Sequence, residues 1–372
     1  WNIAGRAGRL FQDTLGLVIF ASQQPDDDSL EAYVNDKVVE LASALEQMIE
    51  DTVERGWDLD LRRLVRNDAK WSSFVQYLAH SYRKIGDHAQ FLTDTEKLLK
   101  RTYAYHRLSE HQPELAEQLI ESTRIYAEQL RNLPTGVLTL VDSTGFSPES
   151  IMDLLHDKES FSLQAEDWSP SRLFQSGGEG MKGLVGALLK VPELSIPTIG
   201  GGDGKSIASM LEMWVSGKTL REIADRHFAD VPDIQRRLTE CCRTVYQTLT
   251  HQGSWGIGAL QSMSELADAN LSEEAKAAIR SVPSMIYFGV PTIEAVLMRS
   301  LGVPRSISVA MGKRFTVEAK EAEPAPRLQK ARVWLERSSA ETWQEVASES
   351  NLPMDGKRMR DAWRIITGNQ PL

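Results

Sequence analysis

The sequence predicts a mainly α protein, on three observations. Apolar residues recur at steps of three and four through most of the chain, the spacing that gathers them on one helical face. Glycines and prolines punctuate those runs at Gly56, Gly86, Pro134, Gly289 with Pro291, and Gly302 with Pro304, where helices end and restart. Residues 26–110 show no convincing two-strand wing. With 372 residues the chain has room for two or three domains. Its 42 Lys+Arg against 52 Asp+Glu leave a net charge of −10, so any contact with nucleic acid must be local rather than a matter of bulk charge. Cys241 and Cys242 are adjacent; they cannot build a disulfide framework or a CxxC metal site, and they fit a reducing cytoplasm. No apolar run approaches the length of a membrane span, so no membrane partner is expected.

The first element is Trp1-Asn2-Ile3-Ala4-Gly5-Arg6-Ala7-Gly8-Arg9. On a helix Arg6 and Arg9 share a face, and Gly5 and Gly8 leave space for a phosphate or a second domain. Two fixed cations aimed at one anion suit phosphoryl transfer; a Gly/Arg-rich turn is the plainer alternative. Residues Gly5 to Arg9, with Asp13 and the apolar run Gly16 to Phe20, resemble motif VI and the following strand of superfamily 2 helicases. Asn2 stands where that family usually has glutamine. The resemblance implies that Gly5, Arg6, Gly8 and Arg9 meet the γ-phosphate of ATP between two RecA-like domains, with Arg9 the catalytic finger and Arg6 beside it. Residues 1–25 are then the end of the second RecA-like domain. Because the chain starts without methionine and inside the motif, we expect it to be the C-terminal portion of a longer polypeptide. It lacks a P-loop lysine and a DExx carboxylate pair, so ATP and Mg would be held mainly by parts outside it.

Residues 26–110 read as a helical domain, beginning with Asp26, Asp27 and Asp28 as a solvated cap before Leu30, Val34, Val38 and Leu41. The helicase resemblance would make it winged-helix-like. Residues 111–271 read as a helical bundle, with Ser147 as an N-cap and Pro148 at the first helical position. Within it, 160–206 is rich in Ser, Gly and Pro and reads as a loop-rich insertion around a short helix near Leu184 to Leu189. The run Gly200-Gly201-Gly202-Asp203-Gly204-Lys205-Ser206 is one residue out of register for a P-loop, since Ile199 holds the place that needs glycine. It reads as a linker, with Ser206 capping the next helix.

Trp214, Gly217-Lys218, Glu222-Ile223, Asp233-Ile234 and Arg236-Arg237-Leu238 look like the C-terminal helical domain of superkiller-type helicases. The paired turns Gly289-Val290-Pro291 and Gly302-Val303-Pro304 make 272–315 a helix-hairpin-helix-like region. Its helix starts and nearby Arg299, Arg305, Lys313 and Arg314 could receive phosphates, as could the helix bearing Arg236, Arg237 and Arg243. The same hairpins also read as a purely structural pair, because Leu297, Leu301 and Val303 are core-like. Residues 316–328 read as a linker, and 329–372 as a small helical segment whose tryptophans are core.

These readings converge on the C-terminal part of an ATP-dependent nucleic-acid helicase, DNA slightly ahead of RNA, suited to repair or to defence against foreign DNA. Its expected partners are nucleic acid and the remaining RecA-like domains. The alternative is a non-enzymatic helical binding or scaffolding module whose acidic surface meets a protein. A nucleotide site at Lys205 is the third reading.

Overall fold

The computed structural model describes residues 44–134, 136–157, 165–194, 196, 205–264, 272–318, 327–350, 352 and 355–368, and its regular elements are all helices. Residues 1–25 with Gly5, Arg6, Gly8 and Arg9, the Asp26 to Asp28 cap, the glycine run 200–204 and linker residues 319–326 lie outside that set. No strand occurs among the described residues, so 44–110 contains no wing. No helix among them is long and apolar enough to cross a membrane.

Caps set the path of the first half. Helix α1 (Ala44–Glu54) leads to α2 (Leu61–Asn67), where Asp60 accepts from the Arg62 amide. Next, α3 (Ser72–Ile85) ends on Gly86, and α4 (His88–Lys100) and α5 (Tyr103–His111) start on Asp87 and Thr102. Pro113 opens α6 (Pro113–Arg131), followed by α7 (Val137–Thr144) and α8 (Pro148–His156). Ser147 caps α8 by accepting from the Ser150 amide, with Pro148 just inside, as the sequence predicts. Each such cap satisfies an orphan donor and contributes about 1 kcal/mol. Tyr126 of α6 is buried and therefore needs an acceptor; its hydroxyl donates to Glu149 at 2.9 Å. Burial pushes the Glu149 carboxyl above its ordinary range.

The described part of 160–206 contains the short helix expected near Leu184 to Leu189, and the residues around it are packed rather than open. That part forms α9 (Pro170–Leu173), α10 (Lys182–Leu188) and short 3-10 turns. Trp168, Leu173, Met181, Leu184, Leu188 and Leu194 are all buried there. Its glycines serve contact rather than looseness. A Cβ on Gly178, whose φ is +75°, would lie 2.4 Å from the Ala208 carbonyl carbon, so only glycine lets the two backbones meet.

Then come α11 (Lys205–Val215), α12 (Leu220–His227), α13 (Ile234–Arg243), a π-helix (Thr244–Gly253) and α14 (Ser254–Met263). Helix α11 begins one residue before the expected Ser206 cap. Thr219 and Glu222 form a reciprocal capping box on α12. The Thr219 amide, aided by Lys218, holds the Glu222 carboxyl down to about 2. The chain continues through α15 (Glu273–Arg280), α16 (Val282–Phe288), α17 (Ile293–Ser300) and α18 (Arg305–Glu318), and closes with α19 (Arg327–Arg337), α20 (Ala340–Glu349) and α21 (Gly356–Ile366).

Buried side chains fall into two clusters. One runs from Ile49 to Ile286, and the other from Met298 to Trp363. The first crosses the expected division at 110/111 without a break. Trp343 and Trp363 are buried in the second, which places them in a core as the sequence suggests.

Arg305, at the start of α18, ties the two clusters together. Its guanidinium lies 3.8 Å from the centre of the Trp214 ring. Its Nε donates to Gly289 at 2.7 Å, its Nη1 to Lys218 at 3.0 Å and its Nη2 to Trp214, all carbonyl oxygens. One of these reaches the last turn of α11, where, among the described residues, the Trp214 carbonyl otherwise accepts only a 3.3 Å bond from the Gly217 amide, and another reaches Lys218 in the turn that follows. Gly289 must be glycine, because φ is +66° and a Cβ would lie 2.4 Å from Trp214.

Removing that fork takes a donor from the part-buried Gly289 and Trp214 carbonyls and from the Lys218 carbonyl. Arg305→Ala should lower unfolding stability by about 3 kcal/mol, and Arg305→Lys should recover little, since an ammonium cannot span the carbonyls as a fork does. Urea denaturation of both variants checks this; an unchanged midpoint in Arg305→Ala would contradict it.

Candidate nucleic-acid interface

Aromatic side chains that resist burial mark the face built on α11, the π-helix and α16. Within the π-helix Val245 and Leu249 point into the core, while Tyr246 remains 50% exposed. A π-turn carries its hydrogen bonds from i to i+5, and His251 follows Tyr246 at that interval, also exposed. On α16 Tyr287 is 48% exposed, although its neighbours Met285 and Ile286 are buried. Isolated exposed aromatics are ordinary; these are linked.

His251 meets Tyr287 edge-on at 5.9 Å, and Tyr287 meets Phe288 at 5.0 Å. The Arg299 guanidinium sits 6.0 Å from the Phe288 ring centre. Tyr246 packs edge-on against Trp214 at 6.0 Å, on the ring that also carries Arg305. The Trp214 Nε1 donates to the Ile286 carbonyl at 2.9 Å, fixing α11 to α16. Trp255 of α14 is 40% exposed; its Nε1 donates to the Thr144 carbonyl at 2.6 Å.

Two arginines stand behind this face. Burial pushes Arg305 down to about 10 and lowers Arg299 as well; Arg305 remains a cation at neutral pH. The Arg299 Nη1 donates to the Val303 carbonyl at 2.7 Å, whereas its buried Nε has no acceptor among the described residues. The result is an aromatic row in two parts, Tyr246 against Trp214 and His251 with Tyr287 and Phe288, tied together by the Trp214 bond to the Ile286 carbonyl and each with one arginine beside it. Such a surface can stack bases on their faces and attract the phosphates that join them.

Most of the cations expected from sequence already have partners within the protein. Arg305 and Arg299 are spent largely on carbonyls. Arg314 bridges Glu345 and Glu349, each at 2.6 Å. Arg237 holds Asp225 at 3.0 Å and the Val231 carbonyl at 3.0 Å. Arg236 is exposed and lies 3.1 Å from Glu240. Arg243, the last residue of α13, and Lys313 are exposed with no partner among the described residues. Only Arg243 adjoins the π-helix in the chain. Both hairpin turns are internally occupied: Trp214 and Arg305 cover Gly289, and the Trp363 Nε1 donates to the Leu301 carbonyl at 2.8 Å.

Sequence reading missed Tyr246, His251, Tyr287 and Trp255. Each lies among apolar residues at core-like spacing, and the π-turn that shifts the register carries no residue signature. No family model, curated protein or solved structure matches the chain.

Proposed function

We propose that the chain is the helical C-terminal part of an ATP-dependent nucleic-acid helicase of superfamily 2, and that a single strand, DNA before RNA, passes over Tyr246, His251 and Tyr287. The linked aromatic row, with a half-buried arginine beside each part, supports this reading most directly. Single-strand binding without a base code needs π-faces for the bases and positive charge for the backbone, and that row supplies both in an otherwise acidic chain. The sequence Gly5-Arg6-Ala7-Gly8-Arg9 supplies the ATP side, with Arg9 as finger and Mg and the rest of the nucleotide site contributed from outside this chain.

A scaffolding role draws on a different place. A cleft of about 680 Å³ runs along α6, lined by Trp57, Leu115 and Ile125 together with Asp58, Asp60 and Glu121. Val53 and Ile125 on its walls are 43% and 52% exposed. An apolar floor with an acidic rim suits a basic, amphipathic protein segment.

Replacing Tyr246 or Tyr287 by Ala should weaken binding of a labelled oligothymidylate by about 1–3 kcal/mol each, with mixed sequences affected alike. Fluorescence anisotropy measures it. Parent affinity in the double variant would rule out the aromatic row as the strand path.

Arg9→Ala in the intact protein should lower ATP turnover by on the order of a thousandfold while nucleic-acid affinity stays near parent. Steady-state hydrolysis assays decide this, and unchanged turnover would remove the motif VI assignment.

A further inference from the structure

We propose that Lys357, Arg360 and Arg364 of α21 form a second phosphate-binding site that holds the nucleic-acid backbone apart from the aromatic row. The proposal rests on the reading of this protein as nucleic-acid-binding, but not on the aromatic row itself. On a helix these positions share one flank, adjacent to the face that buries Met359 and Trp363, and together span about 10 Å. None of the three has a carboxylate at ion-pair distance among the described residues. Other described cations, Arg62, Lys84, Arg226 and Arg337 among them, also lack one; what marks this flank is that three such side chains lie along one side of one helix, with a buried donor left over.

Arg360 shows the imbalance most clearly. Its Nε is buried and has no acceptor among the described residues. Burial, and then Arg364, lower its affinity for its proton, with Asp361 and Glu341 only partly offsetting them. Like charges this close are costly unless an anion arrives between them. Arg364 reaches only the Glu336 carbonyl, at 3.3 Å. Guanidinium forks match phosphate oxygens and retain their charge throughout the physiological range.

Nucleic acid is favoured over other anions by continuity with the first site. The end of α21 packs on the second hairpin, where the Trp363 Nε1 donates to the Leu301 carbonyl at 2.8 Å. Arg299 donates to the Val303 carbonyl of that same hairpin at 2.7 Å. One turn thus links the phosphate site to the aromatic row. A membrane surface fits less well: the exposed Ile365 and Ile366 project, by the 100° helical step, from other sides of the helix than the three cations.

The test uses the full chain and a fluorescein-labelled twenty-nucleotide oligothymidylate, titrated at several salt concentrations. Lys357→Gln/Arg360→Gln/Arg364→Gln should weaken binding roughly tenfold and reduce the slope of log affinity against log salt by about 2, or about 0.7 per phosphate contact. Arg358→Gln, on another side of the helix, should leave both near parent. Because Arg360 is partly buried, Lys357→Glu/Arg364→Glu is the second variant. It keeps Trp363 and Arg360 in place and should lose at least as much affinity. Parent affinity and slope in folded variants overturn the phosphate site alone. Absence of binding by the wild type overturns it together with the nucleic-acid reading. Wild-type binding to phosphatidylserine vesicles but not to the oligonucleotide also overturns it, in favour of a membrane surface.

Discussion

The stacking of Arg305 on Trp214 is the contact on which the second half of this protein depends. One side chain reaches the last turn of α11 and the turn that follows, takes the Gly289 carbonyl from the first hairpin and begins α18 of the second cluster. A lysine lacks the planar fork, and an apolar residue would take a donor from these carbonyls. The ring that carries the cation also carries Tyr246 on its edge. The contact that joins the two cores therefore also sets the position of the aromatic row.

The placement of positive charge has a similar economy. The chain is acidic overall, and many of its surface arginines are neutralised by carboxylates one or two helical turns away or across a helix pair. Pairs of that kind contribute little stability when exposed, but they remove basic side chains from competition for a polyanion. Among the described cations left without a carboxylate are Arg299 and Arg305 under the rings, Arg243 and Lys313 in the open, and the flank of α21.

Local signals in the sequence were legible where the physics is local. Ser147 with Pro148, the breaks at Gly56 and Gly86 and the twin turns at Gly289 and Gly302 all depend on residues within a few positions of each other. Trp343 and Trp363 were legible as core because their neighbours repeat at helical spacing. The Ser, Gly and Pro of 160–206 suggested a loop, yet Gly178 is small because Ala208, thirty positions away, lies against it. Cation partners were equally hidden: Arg314 finds Glu345 and Glu349 only after α18 and α20 pack. The aromatic row escaped notice because exposure is decided by the π-turn and by α16, not by the residues around each ring.

Hydrogen exchange of the full chain with and without a single-stranded oligonucleotide addresses the central proposal most directly. Strand binding across the aromatic row predicts slower exchange of amides in the π-helix, Thr244–Gly253, and in α16, Val282–Phe288. Slowed exchange confined to α6 and the Trp57 to Leu61 segment, with the π-helix unchanged, would contradict it and move the binding surface to the acidic cleft.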